Sequence, residues 1–216
     1  MTSPSEKRMD TLRGYKLKGR KGLIRWDALL EEWLLAIERY GRIMISEDAA
    51  YWYNERSNIS VLSGAAWRCG RIALEEFQQK KGYRNRQKRN GRCDLWISTE
   101  TEEDLIEAKF KWISLRSKRN STFVDAIMDN AISDAKRTRA NDVDANAIAV
   151  GFFPVYTPNQ FIKDIDKLIE SSLSEFHGID YHALAWSFPK ENRTTISSTG
   201  YLCPGIFMVV KNVDYC

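Results

Sequence analysis

The chain has 216 residues, 43% of them apolar and 12% aromatic, and a net charge of +4, which suits one domain with elaborations and a sizeable core. No run of about 18 apolar residues exists, so no membrane span is expected. The N-terminal Met-Thr-Ser-Pro-Ser-Glu-Lys-Arg lacks the apolar segment of a secretory signal, which points to the cytoplasm. Cys69, Cys93, Cys203 and Cys216 are scattered with no Cys-x-x-Cys pair, and the two histidines are His177 and His182. That composition argues against a structural zinc site, a disulfide framework and histidine-based nucleophilic catalysis.

The charge is unevenly spread. Residues 1–25 carry eight Lys/Arg against two acids, whereas residues 140–216 carry five against nine. Lys80, Lys81, Arg84, Arg86, Lys88, Arg89 and Arg92 follow one another without an intervening acid. Such asymmetry predicts a basic face for a polyanion.

In chain order, residues 1–22 read as a basic, glycine-interrupted flexible arm. Residues 23–60 read as a helical N-terminal extension. Its first helix starts near Trp26, with Leu29, Leu30, Trp33, Leu34, Ile37 and Tyr40 at three- and four-residue steps. Ser46-Glu47-Asp48 looks like the cap of a second, aromatic helix, and residues 54–60 like a loop. Residues 61–216 read as the main α/β domain. A helix is expected from about Val61 to Lys81, with Leu62, Ala65, Ala66, Ile72, Ala73 and Phe77 on one side. Glu76 falls among these and Glu75 points away. Gly82 would close it, and a basic loop follows.

Next come two short strands, Gly91 to Ile97 and Leu105 to Phe110, joined by a polar, acidic link. Strand alternation sets Glu107 and Lys109 on one side and Ile106, Ala108 and Phe110 on the other. A hairpin would bring Asp94 beside Glu107. Two carboxylates so close need an offsetting charge, which a hard divalent cation such as magnesium supplies. Lys109 could then hold the attacking water. This is the minimum equipment for metal-assisted hydrolysis of a phosphodiester. Beyond it, a helix is expected from Ser121 or Thr122 to about Arg139, with Asp125, Asp129 and Asp134 as solvated acids. A buried strand over 145–156 would pair in parallel after that helical crossover. A helix to about Phe176 and strands over 181–188 and 205–210 complete the reading.

At Asp94 and at Glu107-Ala108-Lys109 the sequence resembles the PD-(D/E)XK nuclease superfamily, over about residues 62–156; Cys93 stands where the superfamily name has proline. The resemblance implies a restriction-endonuclease-like core, a central mixed sheet of four to five strands flanked by helices. It implies Mg²⁺ (or Mn²⁺) held by Asp94 and Glu107, with the Ala108 carbonyl. Glu76 would be the extra acid that the first core helix often contributes. With Lys109 these make the expected catalytic set of a Mg-dependent endonuclease, and a role in restriction or phage defence is compatible with the resemblance. Lys80, Lys81, Arg84, Arg86, Lys88, Arg89, Arg92 and Lys111 would contact nucleic acid, expected to be double-stranded DNA, and a homodimer or protein partner is compatible. The competing expectation is a nuclease-like fold that binds nucleic acid or a partner without cutting.

Overall fold

The computed structural model describes residues 12–19, 22–45, 47–81, 89–139 and 144–216, with the side chains of residues 79, 80 and 89 outside that set. The strands are β1 (Arg13–Leu17), β2 (Ile72–Lys81), β3 (Arg89–Ser98), β4 (Glu103–Phe110), β5 (Ile113–Ser114), β6 (Asn146–Pro158), β7 (Ala183–Ser187) and β8 (Tyr201–Asn212). The α-helices are α1 (Asp27–Ile43), α2 (Glu55–Arg68), α3 (Asn120–Arg139) and α4 (Ile165–His177). One mixed sheet runs β1-β7-β8-β6-β4-β3-β2, with β5 pairing β6 off that path. Its eight strands exceed the four to five expected.

Strand β6 is the spine. Its apolar run has no polar face because both faces of the sheet are covered. Ile148, Val150 and Phe152 enter one core with residues of α1 and α2. Ala147, Ala149, Phe153 and Val155 enter the other with residues of α3 and α4. The α3 crossover joins β4 to β6 in parallel, with Glu107 beside Ala149 and Lys109 beside Gly151. This is the connection the sequence implied.

The segment from 61 to 81 is not one helix. Asn54 caps α2, its side chain accepting from the Ser57 N–H at 3.0 Å, so the residues expected as a loop are the helix's first turns. At the other end Gly70 takes φ +81. That left-handed conformation stops the helix, with the Arg71 N–H returning to the Ala66 carbonyl at 2.9 Å. The chain then leaves as edge strand β2, alternating exposed Ile72, buried Ala73 and exposed Leu74. Glu76 therefore lies on a strand.

The N-terminal expectations also change. Residues 13–17, read as part of the arm, pair with β7 as an edge strand. Arg13 bridges Glu31 and Glu38 of α1, at 3.0 Å each. Residues 50–52 form a short 3-10 turn; Ser46 lies outside the described residues. Helices α1 and α2 share a core with the sheet, and residue 60 falls inside α2. Among the described residues no helix is long and apolar enough to cross a membrane.

Candidate active site

The site lies where β3 and β4 part. Their hairpin is closed by the Thr99 N–H on the Glu102 carbonyl at 2.9 Å. The ladder runs from Ser98 opposite Glu103 to Leu95 opposite Ile106 and ends there. One more step of that register sets Asp94 against Glu107. The backbone does not pair at that step; instead the Asp94 carboxylate accepts the Ala108 N–H at 2.8 Å. In an antiparallel strand a residue's N–H and C=O face the same neighbour, so the Ala108 carbonyl faces this gap too. The next N–H on that edge is that of Phe110, and Glu55, in the first turn of α2, brings its carboxylate near it, where the N–H favours the ionised acid. Asp94 thus caps the edge of β4 that β3 leaves open, with Glu55 near its next N–H.

Glu107 is only 3% exposed. Its Oε1 accepts from Lys81 Nζ at 2.5 Å and from the Thr138 hydroxyl of α3 at 2.6 Å. Lys109 Nζ pairs with Asp134 Oδ2 of α3 at 2.6 Å, and Arg137 holds the other Asp134 oxygen. The electrostatics follow from burial and crowding. Burial raises the Glu107 carboxyl above its ordinary range, and the charge of Asp94 raises it further. Burial likewise raises Asp94, with Glu76 adding and the Ala108 N–H, Lys81 and Lys109 opposing. Burial, then Asp94, raises Glu55. Burial works against the charge of Lys109, but Asp134 more than offsets it and the ammonium is held above its usual pKa.

Glu76 is near but turned to other partners. It occupies the register position across from Asp94 between the pairs Glu75–Leu95 and Phe77–Cys93. Its φ of +52 interrupts the ladder there. Its carboxylate meets Arg92 at 3.1 Å and Arg56 at 3.3 Å. Glu76 is thus not the helix-borne acid expected; a helix does bring one, and it is Glu55. Sequence reasoning missed Glu55 because it took residues 54–60 as a loop. The signal was present, since Asn is a favoured N-cap and acids are favoured in the turn that follows. Asp134, expected as a solvated helix acid, is the partner of Lys109.

Of the residues expected to contact nucleic acid, Lys81 pairs with Glu107, while Arg92 and Lys111 are exposed. Arg84, Arg86 and Lys88 lie outside the described residues, as do the side chains of Lys80 and Arg89.

Among the described residues no three His, Cys, Asp or Glu side chains form a ready metal cage. Magnesium is commonly bound through one or two carboxylates, retained waters and substrate phosphates. Asp94 and Glu107 fit that pattern: adjacent in register, partly or fully buried, with the ammonium of Lys81 bound to Glu107 and its positive charge also favouring the ionised Asp94.

A pH-dependent outcome follows. Asp94, Glu107 and Glu55 all have raised carboxyls. Their ionised forms are less favoured in the folded than in the unfolded state. Without metal, their contribution is therefore most favourable below the unfolded pKa and is lost as pH rises through the folded pKa. Divalent metal should reverse this. At a concentration about 100 times Kd, Mg²⁺ or Mn²⁺ should raise the Tm by roughly 5–10 °C at pH 8. The gain should fade above the ordinary carboxylate range as pH falls. Thermal scans with and without the cation measure it; an equal gain for Glu107→Gln would place the cation elsewhere.

No protein-family model, curated protein or solved structure matches the chain. The functional reading therefore rests on the residues themselves.

Proposed function

We propose that this protein is a metal-dependent nuclease that hydrolyses phosphodiester bonds of nucleic acid, with DNA as the expected substrate. The observation that carries the reading is the crowding of Asp94 against Glu107 where β3 and β4 part, with Lys109 two residues along the strand and Glu55 close enough to feel the charge of Asp94. The PD-(D/E)XK likeness at Asp94 and Glu107-Ala108-Lys109 supports it.

A bound Mg²⁺ or Mn²⁺ would supply charge neutralisation at the scissile phosphate and a more acidic water. Asp94 and Glu107 would hold the ion, with the Ala108 carbonyl beside them. Lys81 would leave Glu107 and turn its ammonium to the phosphate backbone. Lys109, released from Asp134, would orient the attacking water and offset charge on the phosphoryl oxygens. Glu55, with its raised carboxyl, is suited to take the proton from that water. Exposed Arg92 and Lys111 would hold the backbone, so binding should weaken steeply with salt.

The test is incubation of purified protein with single- and double-stranded DNA and RNA, in Mg²⁺, Mn²⁺ or EDTA. Metal-dependent cleavage of any of them is expected. Binding that persists in EDTA, with no cleavage under any condition, would favour a second reading, a nuclease-like fold that binds without cutting. One observation speaks for that alternative: both lysines of the site are engaged, Lys81 with Glu107 and Lys109 with Asp134.

A further inference from the structure

Beyond the end of β4 lies a cavity of about 490 Å³, walled by Trp52, Trp112, Tyr156 and Tyr201, with Ser197 and Thr199 at its polar side. Its rings form a chain: Phe110 to Trp112 at 6.2 Å, Trp112 to Tyr156 at 6.5 Å and Tyr156 to Tyr201 at 5.5 Å, all edge-on. The hydroxyls of Ser197 and Thr199 are hydrogen-bonded at 2.9 Å.

Two backbone features tie this cavity to the acids. Trp52 ends the 3-10 turn three residues before Glu55, and Trp112 stands two residues beyond Phe110, whose N–H lies near the Glu55 carboxylate. A chain rises at most about 3.6 Å per residue. The Cα of Trp52 therefore lies within roughly 11 Å of that of Glu55, and that of Trp112 within roughly 7 Å of that of Phe110. The cavity also sits at an irregularity of the sheet. The β6–β8 register shifts between Val155 and Thr157, and Tyr156 falls in the shift. Such bulges re-aim side chains and are over-represented beside active sites.

We infer that this cavity binds an unpaired nucleobase of the polynucleotide whose backbone lies across the Asp94–Glu107 site. This rests on the nucleic-acid part of the proposed function but not on cleavage. Aromatic walls accept the π-face of any base, and two hydroxyls can meet base edges without fixing one identity. Exposed Lys111, beside Trp112, supplies charge for the adjoining phosphate. A paired base inside a duplex cannot reach such a cavity. The preferred substrate therefore has a single-stranded stretch, a frayed end or an extruded base.

The test measures binding in EDTA, so that cleavage plays no part. Fluorescence anisotropy of a labelled single strand of about 12 nucleotides, within the span that single-strand sites cover, is compared with a blunt duplex of the same length. Trp112→Ala should weaken single-strand binding roughly 5- to 100-fold. Trp112→Phe should retain most of it, and Trp67→Ala, at an exposed tryptophan on α2, should leave it unchanged. Tyr201→Ala serves as the second variant if Trp112→Ala does not fold. Duplex binding should be weaker and indifferent to Trp112. Equal binding by Trp112→Ala, or by an abasic strand, would overturn the inference. So would competition by a free mononucleotide at the affinity of the strand, which would make the cavity a small-molecule site. If no nucleic acid is cut yet single-strand binding depends on Trp112, the base site stands and the enzyme reading falls. If cutting is observed and Trp112 is irrelevant to binding, the reverse holds.

Discussion

Asp94→Asn is expected to lower metal-dependent cleavage by at least about a hundredfold, the scale of losing one preorganised charge-stabilising group. The variant keeps the size of the side chain and an oxygen for the Ala108 N–H, so the fold should persist while the charge that would hold the ion is lost. Lys109→Gln should fall similarly, because Lys109 is the site's cation on the strand that carries Glu107. The decisive comparison is between the two candidate third acids. Glu55→Gln should cost far more than Glu76→Gln, since Glu55 shares the gap with Asp94 and Lys109 whereas Glu76 is paired with Arg56 and Arg92. Steady-state cleavage rates of the four variants under saturating Mg²⁺ measure this. Full activity in Asp94→Asn would end the nuclease assignment, and a larger loss for Glu76→Gln would move the third acid back to β2.

Asp104→Ala is expected to destabilise the fold by about 3–5 kcal/mol, the range for removing one partner of a buried ion pair. Asp104, 2% exposed, lies on β4 near the hairpin end. One of its oxygens binds the Arg25 guanidinium and the other accepts the Trp26 indole N–H at 2.9 Å. Burial raises its carboxyl, and Arg25 opposes the rise. Arg71, just past the end of α2, donates to the Arg25 carbonyl. One carboxylate therefore ties the entry to α1 to the strand that bears the candidate site. Its removal leaves the mostly buried guanidinium only the half-exposed Glu102, at 2.9 Å, as an acidic partner, and leaves a buried indole N–H without its acceptor. Urea unfolding should show the loss in the midpoint with little change in slope. Asp104→Asn, which keeps an acceptor for Trp26, should fall between the two. A loss below about 1 kcal/mol would mean that the pair is dispensable, as exposed pairs are.

Several parts of the architecture were legible because their information is local. The three- and four-residue apolar steps of α1, the unbroken apolar run of β6 and the acidic turn between β3 and β4 each reflect a period set by backbone geometry. The parallel β4–β6 pairing was also readable, because a crossover helix sets the direction of the strand that follows it. The stretch from 61 to 81 was misread for a physical reason. Its apolar residues fit a helical period on both sides of Gly70, and only the positive φ of that residue and pairing with β3 decide where helix gives way to strand.

The sequence by itself determined that Glu107 and Lys109 share a side of one strand and that Asp94 lies on the strand before it, because alternation along an extended chain needs no partner; Asp94, expected at that strand's start, lies in the middle of Arg89–Ser98. Only the tertiary structure decided the company they keep: Glu55 arriving from α2, Lys81 on Glu107 across 26 residues of chain, and Asp134 of α3 on Lys109. Periodicity is written in neighbouring residues. The pairing of charges from separate elements depends on where the ladder between β3 and β4 ends and on how the helices pack over that end.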